Sequence, residues 1–185
     1  MATNGTKARL RTLDMTYIAL FAVLMAVCAW IAVPAAVPFT LQTFGVFFTL
    51  LTLGGRRGGL AIVTYLLMGA VGLPVFTGFQ GGLGVLLGTT GGYLVGFILM
   101  ALIYRAVTAP KPDSMKLGVL GCVLGLAGCY AFGTAWFLVA YARQSGAVGL
   151  GTALGMCVVP FLLPDAAKLT LAVWSAKRVK KYLRA

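Results

Sequence analysis

The sequence predicts an all-α integral membrane protein with six transmembrane helices and both termini in the cytoplasm. Three observations lead there. The 185-residue chain is 61% hydrophobic and only 10% charged, whereas a soluble domain is about 25% charged. Its mean hydropathy is +0.99. Uncharged stretches run over 15–55, 58–104, 117–142 and 144–164. Each exceeds the roughly 18 residues of a membrane span, and the first two have room for two spans each. One domain over 1–185 is expected. A removable signal peptide is not, because the first apolar run is too long for a signal core and no clear cleavage pattern follows it.

The first span is expected over about 15–33, closed by Pro34 and Pro38, which lack the amide a helix needs. The second covers about 39–53 and stops at GGRRGG, residues 54–59. The third covers about 60–73, before Pro74. A glycine-rich stretch, 75–92, separates it from a fourth span over about 90–104. The fifth covers about 117–140. Residues 147–163 are apolar but broken by Gly149, Gly151, Gly155 and Pro160, so they form either a re-entrant segment or a seventh span. The last helix is expected to start near Pro164, since proline suits a first turn. It runs into the basic tail KRVKKYLR.

With the N-terminus inside, thirteen of the fifteen basic residues fall on the cytoplasmic side of a six-span chain. Arg143 falls outside and Lys168 falls within the last span. The formal charge of +12 therefore reports topology. No exposed basic domain remains for nucleic acid. The short second and third runs require bilayer thinning or irregular loops at membrane depth. Such loops survive only where protein buries them or where they line a cavity. A cavity near the outer side is expected, formed by 34–43, 74–92 and 141–165.

The chain has three acids, Asp14, Asp113 and Asp165, and no His or Glu. That excludes the usual imidazole and carboxylate metal clusters and leaves no second carboxylate for paired acid–base work. No GxxxxGK[ST] loop is present, so ATP hydrolysis by that route is excluded. Cys28, Cys122, Cys129 and Cys157 form no CxxC and are read as small buried residues. Asp165 alone lies in membrane-like sequence, with Lys168 one turn behind it. A charge at mid-bilayer costs about 2.5–3.5 kcal/mol on insertion scales and usually has a role. Three residues apart on a helix, the two can face one pocket. The bland alternative is that they pair only with each other. Polar and aromatic candidates near the outer loops are Phe39, Thr40, Gln42 and Thr43, then Phe76, Thr77, Phe79 and Gln80, then Thr89, Thr90 and Tyr93. Ala19, Ala22 and Ala26 form a small-residue stripe on the first span. It suits either internal packing or a partner helix.

VPFTLQT (37–43), GLPVFTGFQGG (72–82), TTGGYLVGF (89–97) and PFLLPDAAK (160–168) occur in this order. With these motifs the whole chain resembles the BioY family, the biotin S components of bacterial energy-coupling factor transporters. The resemblance implies six membrane helices, high-affinity biotin binding from outside, and uptake across the bacterial cytoplasmic membrane. It also implies a separate transmembrane coupling subunit and two ATPase subunits, which alone would use ATP. The chain itself would need no cofactor and would not be an enzyme. Asp165 and Lys168 match the family's ligand groups. By charge, Asp165 would accept from the ureido N–H and Lys168 would pair with the valerate carboxylate. The same motifs put Phe39, Thr40, Gln42, Phe76, Gln80, Gly82, Thr90, Gly92 and Tyr93 at the ligand. Ala22 and Ala26 match the AxxxA face that meets the coupling subunit in such proteins. The motif before the fourth span reads GTTGG where many relatives read GPTGG. A different vitamin as ligand, self-association, and an intramembrane transferase using Asp165 with Lys168 are the alternatives.

Overall fold

In the computed structural model, which describes residues 11–33, 39–146 and 148–183, the first apolar run becomes helix α1, Thr12–Trp30. Pro34, Pro38, Lys7, Arg9 and Arg184 lie outside the described residues. The helix stops at Trp30, before those prolines. Ala32–Val33 (β1) turns extended and pairs antiparallel with Phe39–Thr40 (β2), and the Leu41 amide donates to the Ile31 carbonyl at 3.0 Å.

GGRRGG does not form the expected six-residue break. Helix α2, Gln42–Ala70, is interrupted at Gly54 alone, with φ 77° and ψ 174°. That backbone region is essentially open only to glycine. Gly54 turns the chain back on itself. The Gln42 amide donates to the Tyr65 hydroxyl at 2.7 Å, and a Cβ on Gly58 would lie 3.2 Å from the Leu50 Cα. The two limbs, 42–53 and 55–70, are thus antiparallel neighbours. Among the described residues, five helices are long and apolar enough to cross a membrane, the doubled α2 counted as one. The first limb is about 18 Å long at 1.5 Å per residue.

Helix α3 (Leu83–Leu87) follows a one-turn 3-10 segment, Thr77–Phe79. Helices α4 (Gly91–Thr108) and α5 (Met115–Ser145) pack closely. A Cβ on Gly92 would sit 2.2 Å from the Trp136 Cβ, so only glycine permits the approach. Residues 148–163 do not form one continuous helix. They contain α6, Leu150–Cys157, about 12 Å long, and the start of α7, Val159–Leu183. The last helix therefore begins before Pro164, which lies inside it.

Met25, Phe47, Leu50, Tyr65, Met100 and Tyr104 anchor the core. At the end of the bundle that holds the Gly54 turn, Arg57 pairs with Asp14 at 2.9 Å, and Arg105 lies against Gly55. Helix α7 carries Lys177–Lys181 12 to 16 residues past Asp165, about 18–24 Å along the axis.

The alanine stripe corrects one expectation. Ala22 and Ala26 are 0% and 2% exposed, so they do not present a face to another subunit. Their side of α1 also carries Met25 and Cys28, which abut Gly45 of α2. Ala22 and Ala26 lie on this inward side, while Ala19 is exposed. The outward face of α1 is Leu13, Leu20, Val23 and Val27. Ala22→Leu is expected to overpack this contact and cost about 1–3 kcal/mol, read as a lower thermal unfolding midpoint in detergent. An unchanged midpoint would restore the partner-facing reading.

Candidate ligand-binding site

Described residues of the three expected stretches, together with side chains of α4, α5 and α7, line a cavity of about 510 Å³. That lies within the 300–1,000 Å³ usual for small-molecule pockets. Asp165, at 1% exposure, forms its deep end. The Asp165 Oδ1 accepts from the Lys168 Nζ at 2.7 Å and from the Thr43 hydroxyl at 2.8 Å. The Lys168 Nζ also donates to the Thr43 Oγ1 at 3.0 Å. The Tyr130 hydroxyl donates to the Asp165 Oδ2 at 2.5 Å. Four side chains from α2, α5 and α7 thereby share one charge pair.

Counting donors and acceptors shows what is left over. A carboxylate has about four acceptor sites, and three are filled. An ammonium has three donors, and two are used. By this count the pair keeps one acceptor and one donor, with no net charge. Among the described residues, Asp165 and Lys168 are the only charged side chains lining the cavity.

The walls are mostly apolar and aromatic: Trp30, Phe76, Leu94, Phe97, Leu126 and Phe161. Phe76 meets the Tyr65 ring edge-on at 5.6 Å, while the Tyr65 hydroxyl donates to the Val75 carbonyl at 3.1 Å. Tyr93 is fixed by a 3.0 Å hydrogen bond with Thr134. At the mouth, Gly78 and Gln80 are exposed. Trp30 stacks on Phe79 at 5.0 Å, and its indole N–H donates to the Pro74 carbonyl at 2.9 Å.

The sequence candidates divide cleanly. Thr40, Gln42, Thr43, Phe76, Thr77, Gln80, Thr90, Tyr93, Asp165 and Lys168 all line the cavity. Phe39 does not; it stacks on the wall residue Phe161 at 4.3 Å. Gly92 is corrected: it is turned to Trp136 and serves helix packing. Gly82 is corrected too: it precedes α3 with φ 95° and donates its amide to the Gly69 carbonyl at 2.7 Å. Phe79 and Thr89 also lie off the lining. Tyr130, Phe161, Cys129 and Cys157 line the cavity without having been singled out. Among the described residues, no three His, Cys, Asp or Glu side chains converge as a metal would require.

Lys168→Met would strand a buried carboxylate. A loss of about 3–5 kcal/mol of stability is expected, with most of it recovered by Asp165→Asn in the same chain. Thermal unfolding of the three variants checks this. A single variant as stable as the parent would show that the pair is solvated.

Comparison with known proteins agrees with this architecture. The chain matches the BioY family over residues 2–185. It is 44% identical over 163 residues to the biotin transporter BioY of Thermotoga maritima, covering 88% of this chain and 92% of that protein. It is 37% identical over 168 residues to the probable biotin transporter BioY of Pyrococcus horikoshii, covering 90% and 96% respectively. The fold resembles the crystal structure of the S-component for biotin from an ECF-type ABC transporter, with TM-score 0.79 and 24% identity over 98% of this chain and 95% of that one. A family match of that extent, on a chain whose motifs meet in one cavity, means that this protein belongs to the BioY family.

Proposed function

We propose that the chain binds biotin in this cavity and serves as the substrate-recognising subunit of an energy-coupling factor biotin transporter. The observation that carries the reading is the neutral donor–acceptor pair at the deep end of an aromatic-walled cavity. Biotin presents the complement: a cyclic urea with N–H groups beside a C=O, fused to an apolar ring. The remaining Asp165 acceptor suits a ureido N–H. The remaining Lys168 donor suits the ureido oxygen. The aromatic walls suit the thioether ring and the methylene chain.

Charge alone divides the ligand differently, sending the carboxylate to Lys168. The 2.7 Å contact between Lys168 and Asp165 argues against that division. A carboxylate there would put two anions around one ammonium in a buried site, where repulsion is poorly screened. A neutral ureido group meets no such opposition.

The remaining parts of the proposal concern setting. The basic end of the bundle lies away from the cavity, which supports cytoplasmic termini and a cavity open to the outside. A multi-pass place in the bacterial cytoplasmic membrane fits the apolar outer faces, such as Leu163 and Trp174 of α7. Release inward would depend on a coupling subunit and two ATPase subunits. The transporter names of the relatives support this reading over a transferase.

The test is equilibrium binding of biotin to the purified chain in detergent, without ATP or partners. Saturable binding is expected, weakened about 10- to 100-fold by Asp165→Asn through loss of charge-assisted hydrogen bonds. No binding by a folded sample would overturn the proposal. Tighter binding of an unrelated vitamin would replace biotin as the ligand.

A further inference from the structure

With the ureido ring at the Asp165–Lys168 pair, as proposed above, the valerate chain leaves toward the mouth. What it meets there is uncharged. Thr77, Gly78, Gln80 and Trp30 line that part of the cavity, and Gly78 and Gln80 are exposed. The basic residue nearest this end in sequence is Arg143. It is exposed in the last turn of α5 and does not line the cavity. Arg11 just before α1, Arg57 of the Gly54 turn and Arg105 near the end of α4 belong to the opposite end of the bundle.

We infer that the cavity reads the bicyclic ring and not the carboxylate. Biotin joined through its carboxyl group as an amide, biotinyl-lysine included, is then a second class of ligand for the same site. Two physical points carry this. The ammonium that a carboxylate would seek is already neutralised 2.7 Å away by Asp165. A carboxylate left at a wet, uncharged rim gains only hydrogen bonds from neutral donors and water, and an amide carbonyl accepts those as well. Even a weak exposed ion pair would be worth no more than about fivefold in affinity. The exposed rim also gives a conjugated chain a way out of the cavity, which a closed pocket would deny.

The experiment is displacement of labelled biotin from the full chain in detergent by biotin, biotinamide and biotinyl-lysine. Both amides are expected to compete within about tenfold of biotin, with little change between low and high salt. Biotin binding with biotinamide more than tenfold weaker would overturn the inference and leave the biotin site standing. It would mean that a cation does read the carboxylate. Biotinamide competing while biotinyl-lysine fails would overturn the claim for conjugates, with the rim as the obstacle. Failure of biotin itself to bind would remove both the site and the inference.

Discussion

A buried ion pair governs this structure. Asp165 and Lys168 sit one turn apart on α7, in sequence otherwise fit for lipid. Taking either charge out of water costs several kcal/mol, and only close pairing with further hydrogen bonds offsets it. The further bonds come from elsewhere in the chain. Thr43 at the start of α2 donates to Asp165 and accepts from Lys168. Tyr130, on α5, donates to the other carboxylate oxygen. One pair thus fixes the relative placement of three helices. By count it also leaves one acceptor and one donor unused.

The rest of the fold keeps the cavity beside the pair open. Gly54 lets α2 double back, so that Gln42 and Tyr65 meet at the cavity end. Gly92 brings α4 against Trp136 of α5, and α5 in turn carries Tyr130. Short α6 and the β1–β2 pair contribute Cys157, Ala32 and Thr40 to the cavity lining. The charges that would compete with the pair are elsewhere: the Asp14–Arg57 bridge ties α1 to the Gly54 turn at the far end. An amphipathic cavity at one end and a basic edge at the other follow from the same division of residues.

Much of this is legible in the residues, for identifiable reasons. Asp165 and Lys168 stand out because isolated charges in apolar sequence are rare and expensive. Thr43 and Gln42 stand out because polar groups beside an outer loop need partners. Tyr130 gives no such signal. It lies in GCYAFGTAW, where an aromatic looks like any membrane-helix residue, and its partner is 35 positions away. Cys129 and Cys157 read as small buried residues, and they are buried, but composition does not say that they border a cavity. The Ala22–Ala26 stripe signals close helix approach and not which helix approaches. The one-residue turn at Gly54 was hidden by its glycine-rich neighbours. Any of several glycines in GGRRGG would have served by composition.

The division of the ligand between a neutral pair and an uncharged rim is the central claim. The most direct test is a crystal structure of this chain with biotin bound. The ureido nitrogen and oxygen are expected within hydrogen-bonding distance of Asp165 and Lys168, with the carboxylate at the mouth beside Thr77 and Gln80. A carboxylate on Lys168, with the ring held elsewhere, would contradict the account.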